Sequence, residues 1–320
     1  MGTRRVIKKG FDPRKWARLS GGLILSMFFM PESLFAGGAA LILSGDLSSY
    51  REAAQGFKSG FDRPFKEYIL PGTEDEKVLL MGSVRAQSPD IIIAVGSKAA
   101  AEALEHCPQT PLVYCMVINP ESQGLVANRN AYGISFTVQE SVLFSKYKAA
   151  LPNLRRLGLI VERGKNEDWL EKAADAAKKE GIAIVAEKVG SNSDIPGVMR
   201  SLSGRIDAFW MTTNPILTNK FAFSTILDFC LNSKISLLVP VDSLVGAGGL
   251  MAVNSSAESM GAESAALSKL ILDGRPPECH LAQPSKVEIV INMDTARKLG
   301  IGIPGSALRS AKLYPLGTSP

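Results

Sequence analysis

Six short polar groups close apolar runs along this chain, and their side chains are suited to binding chemistry. They are Ser44-Gly45-Asp46, Gly96-Ser97-Lys98, Asn119-Pro120, Glu162-Arg163-Gly164, Thr212-Thr213-Asn214-Pro215 and Asp242-Ser243. Gly96 permits a tight turn and Ser97 suits a helix N-cap, so the backbone N–H groups that follow favour an anion such as a carboxylate. Ordinary turn and capping chemistry explains any one of these groups alone. Six in one chain point to a cleft.

Patterns for catalysis and for metals fall short. Gly96-Ser97-Lys98-Ala99-Ala100 lacks the closing glycine of a nucleophile elbow. Gly246-Ala247-Gly248-Gly249-Leu250-Met251 misses the last glycine of a dinucleotide fingerprint, and no phosphate-loop Lys-Ser/Thr pair occurs. The chain has two His and four Cys. His106-Cys107 and Cys279-His280 do not have the spacing of a zinc site, so neither metal nor cofactor is expected. Cys115 and Cys230 read as buried thiols, and a Cys107–Cys115 bridge stays open in an oxidising compartment. Trp210, beside Thr212 and Asn214, suits ligand stacking and core packing equally.

The elements that position these groups alternate. Apolar strand candidates such as Ala40–Leu43, Ile91–Val95, Leu112–Val117, Leu157–Val161, Ala208–Met211, Leu237–Val241, Leu250–Val253 and Val287–Ile291 are separated by helical stretches such as Lys98–Glu105, Glu167–Glu180 and Ala257–Asp273. Ile91-Ile92-Ile93-Ala94-Val95 is apolar without alternation, as in a strand covered on both faces. Repeated βα order implies a doubly wound α/β fold, and the strand series restarts near Leu151-Pro152. Two lobes joined near residue 136 follow, each with ligand-binding strand ends.

Charge is confined to one end. Of 36 Lys and Arg against 31 Asp and Glu, residues 1–36 contain seven basic and two acidic residues, which is the whole net charge of +5. This basic stretch precedes Leu23-Ile24-Leu25-Ser26-Met27-Phe28-Phe29-Met30, and Leu34-Phe35-Ala36-Gly37 offers small residues for cleavage. The pattern is that of a secretory signal peptide, with an uncleaved amphipathic anchor as the alternative. Thr3-Arg4-Arg5 is similar to the start of a twin-arginine signal. No Cys follows the apolar run, which argues against a lipid anchor. A neutral remainder argues against a nucleic-acid partner.

Several segments in order resemble one family. They are Ser88-Pro89-Asp90 through Ala100, Pro111 to Pro120 with Gly124-Leu125, Gly133-Ile134-Ser135, Ser201 to Ala208, and the ending from Val290 through Asn292-Met293-Asp294-Thr295-Ala296 to Pro304. The chain over residues 40–310 resembles the ABC-transporter substrate-binding family, which is type I periplasmic-binding-protein-like and includes aromatic amino-acid binders. The resemblance implies a two-lobed α/β protein that closes on a small solute and hands it to an ABC permease with a cytoplasmic ATPase. It implies a periplasmic monomer that touches the membrane only through that complex.

The lobes are expected at 37–136 with 249–283 and at 137–242 with 286–320. Their crossings are expected near 135–139, 242–249 and 283–285, with the strand near Val287–Ile291 finishing the second lobe. By resemblance Ser97 and the backbone after it take a ligand carboxylate, and Asn119 and Ser135 line the first-lobe wall. Thr212-Thr213-Asn214 stands where the family often has Thr-Asp-Asn. Thr213 and Asn119 each replace an acid, which weakens the case for an α-amino acid, because a buried ammonium without a carboxylate partner is costly unless Asp46, Glu162 or Asp242 compensates. The expected ligand is a small organic solute bearing a carboxylate or polar group, with amino acids one option. The other readings are a ligand-sensing subunit for a membrane receptor and, behind it, a secreted α/β enzyme.

Overall fold

The computed structural model describes residues 37–315; the leader expected at residues 1–36 lies outside them. The chain runs β1 (Ala39–Leu43), α1 (Ser48–Gly60), β2 (Phe65–Ile69), α2 (Glu74–Ala86), β3 (Ile91–Val95), α3 (Ser97–His106), β4 (Leu112–Cys115) and β5 (Ala131–Ile134). There follow α4 (Glu140–Ala150), β6 (Arg156–Glu162), α5 (Glu167–Lys179), β7 (Ala183–Val189), α6 (Ile195–Leu202), β8 (Ala208–Trp210), α7 (Lys220–Asn232), β9 (Ser236–Val239), α8 (Asp242–Gly246) and β10 (Met251–Asn254). The rest is α9 (Ala257–Leu272), β11 (Leu281–Ala282), β12 (Glu288–Asn292), α10 (Met293–Leu299), α11 (Gly305–Arg309) and β13 (Ala311–Tyr314).

The strands form two sheets, in the orders β11-β5-β4-β3-β1-β2 and β13-β12-β10-β9-β8-β6-β7. All pairings are parallel except that of β10 with β12. Both sheets are covered on both faces, as their apolar strands require. Ile92 and Ala94 of β3 pack under α2 and α3, whereas Ile91, Ile93 and Val95 meet α1 and α9. Likewise Leu157, Leu159 and Val161 of β6 face α4 and α5, and Ile160 faces the side of α6 and α7. This two-residue alternation between two buried layers is the strand period itself.

Helices α1 and α9 come from distant parts of the chain and meet backbone to backbone. A Cβ on Gly56 would stand 1.9 Å from the Glu258 carbonyl oxygen, and one on Gly261 would stand 1.8 Å from that of Ala53. No side chain fits at either position, so two glycines set this contact.

The chain passes three times between the sheets. β5 ends at Ile134 and α4 packs on the second sheet; β10 ends at Asn254 and α9 packs on the first; β11 ends at Ala282 and β12 belongs to the second. Because β12 runs antiparallel to β10, Glu288 at its start lies opposite Asn254 at the end of β10. All three crossings therefore join carboxyl strand ends to carboxyl strand ends, and those ends of the two sheets face one another.

Two expectations are corrected here. The middle crossing does not lie in 242–249, and residues 249–254 do not belong to the first lobe: Met251 and Ala252 pair with β9, and Met251–Asn254 pair with β12. The Gly246–Gly249 segment is pinned inside the second lobe. Asn292 Nδ2 donates to the Val245 carbonyl at 2.8 Å, and Thr295 Oγ1 donates to that of Gly248 at 3.0 Å. A Cβ on Gly249 would lie 2.8 Å from Val239 Cγ1, so this glycine serves close packing rather than hinge motion. The second lobe is finished by β13, beside β12, rather than by the strand near Val287–Ile291.

Candidate functional site

In an open parallel sheet the ligand crevice opens where successive connections run in opposite directions from a central strand pair. In the first sheet that point lies between β1 and β3, and in the second between β6 and β8. The residues there are Ser44, Gly45 and Asp46 with Gly96, Ser97 and Lys98, and Glu162 with Thr212, Thr213 and Asn214. The sheet order thus brings these expected residues together in two sets, each at the carboxyl edge of its sheet.

The first-lobe set is tightly built. Ser44 Oγ accepts the N–H of Ala99 at 2.9 Å, which links the end of β1 to the first turn of α3. Gly96 has φ +91 and ψ 165, a conformation essentially confined to glycine. A Cβ there would meet Ser44 Oγ at 2.6 Å and the Tyr50 ring at 2.9 Å. Ala100 N–H returns to the Gly96 carbonyl at 3.2 Å. The N–H groups of Ser97 and Lys98 make no hydrogen bond among the described residues, as expected of a helix start. Lys98 is exposed and has no ion pair among them. Ser97 Oγ is reached by Gln123 Nε2 at 3.3 Å. Burial raises the pKa of Tyr50 first, with the nearby Cys115 adding to it, so its hydroxyl stays protonated at neutral pH.

The loop after β4 carries local strain: Met116 (φ 57) and Asn119 (φ 51) both adopt left-handed backbone. Asn119 is exposed, and its carbonyl accepts from the Ser122 hydroxyl at 2.8 Å. Ser135 takes a different place from the one expected by resemblance. It is buried, its hydroxyl donates to the Thr137 carbonyl at 2.8 Å, and the same oxygen accepts the Thr137 N–H at 3.2 Å. It shapes the first crossing instead of offering a free group to a wall.

The acids separate by partner. Asp46 is exposed and paired with Arg51, which lowers its pKa mainly through that hydrogen bond. Glu162 is paired with Lys165 at 2.6 Å. Asp242 has no cationic partner among the described residues; its Oδ1 accepts from Asn254 Nδ2 at 2.8 Å. In the Thr212–Asn214 loop, Asn214 Oδ1 accepts the N–H of Ile216 at 3.0 Å and Thr212 Oγ1 that of Asn214 at 3.4 Å. These bonds close a turn that delays α7 to Lys220.

Other candidates resolve into structure. Trp210 is buried edge-on to Phe144 at 5.1 Å and tilted against Trp169 at 5.5 Å, so it is a core residue. All four cysteines are free; Cys107 and Cys115 lie on opposite faces of the first sheet, which precludes the bridge left open above. His106 lies 3.4 Å from Glu102, and His280 stacks on Tyr132 at 4.5 Å. No metal-binding cluster occurs among the described residues. The sequence reasoning missed Tyr50, Gln123, Met116 and Asn254. Of these only Tyr50 had a signal, its place three residues into the helix segment that follows a candidate strand end.

Comparison with known proteins agrees with this architecture. The family model for ABC transporter substrate binding proteins matches residues 70–314. A tyrosine-binding protein of Clostridioides difficile strain R20291 is 22% identical over 218 residues, 66% of this chain. The match spans 63% of that relative's length, just under two thirds. Among solved structures, the ligand-free, open form of a substrate-binding protein with adhesive properties from Clostridium difficile has a TM-score of 0.69 at 18% identity. That match covers 87% of this chain and 99% of the other. A domain from Streptococcus pneumonia in complex with L-Trp has a TM-score of 0.59 at 19% identity, covering 86% and 99%. These structures share the fold, two α/β lobes with mainly parallel sheets. With the family model spanning both lobes, the chain belongs to the ABC transporter substrate-binding protein family, a family of binding rather than of catalysis.

Proposed function

We propose that this protein captures a small polar or carboxylate-bearing organic solute between its lobes and delivers it to an ABC importer outside the cytoplasm. The observation that carries the reading is the convergence of polar strand ends at the turning points of both sheets, on the side where all three crossings run. The ligand groups of the first lobe are then Ser97, Lys98 and the N–H groups at the start of α3, which suit a carboxylate. Gly96 and Ser44 hold that turn, and Asn119 stands at its flank. Across the cleft stand Thr212, Thr213, Asn214 and Asp242.

Three crossings of five residues or fewer suit lobe closure about a hinge. Residues 1–36 serve as the export leader in this reading, since the whole net positive charge is gathered there ahead of an apolar run. Among the described residues no helix is long and apolar enough to cross a membrane.

The test is a thermal-shift and calorimetric screen of the mature protein against small carboxylates. L-tyrosine and L-tryptophan are included because the curated relative is named for tyrosine and one structural neighbour holds L-Trp. Micromolar or tighter binding, with a smaller radius of gyration in solution scattering, is the expected result. A tight ligand that leaves the radius unchanged contradicts closure.

A further inference from the structure

Helix α2 is apolar on two sides. Its inner side buries Met81 and Val84 in the first lobe. Its outer side carries Val78 and Leu79, 54% and 74% exposed, and Leu79 is the most exposed large hydrophobic side chain among the described residues. Gly82 continues the same stripe, four residues after Val78 and three after Leu79. A Cβ on Gly82 would meet nothing within 4 Å, in contrast to Gly56 and Gly261. Glycine inside a helix weakens it, and no contact within this chain requires one here. Charges close the stripe at its two ends. Asp75 stands in the first turn and Arg85 in the last, both exposed. Neither forms an ion pair among the described residues, whereas Lys77 lies 2.6 Å from Glu74 and 3.7 Å from Glu102.

We propose that the outer face of α2 pairs antiparallel with the same face of a second copy of this chain, forming a weak two-fold dimer. A two-fold axis sets each residue opposite one that lies as far beyond the axis as the first lies before it. With the axis near residue 80, Asp75 falls opposite the second copy's Arg85, and Val78 and Leu79 fall opposite the second copy's Gly82. One register therefore matches the apolar centre to the glycine notch and each charge to its opposite. Asp75 and Arg85 are roughly 15 Å apart along the helix, and the symmetry makes their pairing twice over. The missing side chain at Gly82 lets the two helices approach, so that Leu79 of each copy packs into the notch of the other. An apolar patch alone would suit many partners. Unpaired opposite charges equidistant from its centre select a second copy. The face is one helix wide, small beside the ~800 Å² per partner of a standard interface, so its dissociation constant is on the order of 100 μM. This dimer departs from the monomer that the family resemblance implies.

The experiment is sedimentation equilibrium of the mature protein from about 5 to 500 μM, a range that spans the expected constant. The weight-average mass should rise from that of one chain toward that of two. Leu79→Lys, at an exposed position that the fold does not use, should weaken association more than tenfold. Asp75→Arg and Arg85→Asp should each weaken it about tenfold, because like charges then meet at both ends of the dimer. An equimolar mixture of these two single variants should associate about as well as the unaltered protein, since the mixed pair again sets opposite charges face to face. A merely structural role for either residue would not produce that rescue. Melting temperatures of the variants identify misfolding, and the concentration series on the unaltered protein needs no variant. A single-chain mass at every concentration overturns the proposal and leaves the face to a partner of other chemistry. A dimer that Leu79→Lys leaves intact also overturns it, as does a mixture that associates no better than its components.

Discussion

Gly96→Ala tests whether the turn from β3 into α3 is built as described. The substitution asks a Cβ-bearing residue to hold φ +91 and ψ 165, which costs ~1–3 kcal/mol. The new methyl group would also stand 2.6 Å from Ser44 Oγ and 2.9 Å from the Tyr50 ring. Relief requires Ser44 to retreat, and its hydroxyl then loses the Ala99 N–H it now accepts at 2.9 Å, worth about 1 kcal/mol as a cap. The sum is about 3 kcal/mol, or a fall of about 5 °C in melting temperature for a protein of this size. Calorimetric melting of the mature protein reads it directly. A second variant separates the two causes. Combining Gly96→Ala with Tyr50→Ala removes the ring from the crowded site but leaves the backbone strain, so a loss of about 1–3 kcal/mol should persist relative to Tyr50→Ala alone. If Gly96→Ala melts within about 1 °C of the unaltered protein, the turn is not as tight as its geometry states.

Two further outcomes follow from packing and charge. Gly261→Ala should destabilise the protein by about 3 kcal/mol, because the methyl group meets the Ala53 carbonyl and neither helix backbone can yield locally; the measurement is a urea midpoint, and an unshifted midpoint would show that α1 and α9 are not in contact. Asp207 is the pH-dependent case. Desolvation pushes its pKa up, but hydrogen bonds from the Arg156 side chain and from the Arg156 and Arg155 backbone outweigh that and hold it below the ordinary value. Its stabilisation is therefore full above the ordinary carboxylate range and fades as pH falls through the lowered value. Asp207→Asn should cost about 2 kcal/mol at pH 7 and progressively less in acid, followed by thermal melts across pH; a pH-independent difference contradicts the linkage.

Strand cores such as Ile91–Val95 were legible because unbroken apolar runs have few ways to be buried. β11, two residues long, and β13, where burial alternates, carry no such pattern and are defined only by the partners they pair with. The Gly246–Gly249 cluster looked like a hinge because glycine freedom is a local property. Its pinning comes from Asn292 and Thr295, which lie far along the chain. The same contrast runs through the acids. The partners of Asp46 and Glu162 are five and three residues away and were open to a reader of the sequence.

Polar residue types at strand ends, a repeating βα order and the gathering of net charge in residues 1–36 are properties of the linear chain, and the βα order with the ordered motifs sets the two-lobed architecture and the family. Which strand ends become neighbours depends on sheet order, and so does the meeting of Asp242 with Asn254. A local pattern describes what a segment prefers, whereas a side chain's unmet donor or acceptor is known only once every group that can reach it has been placed.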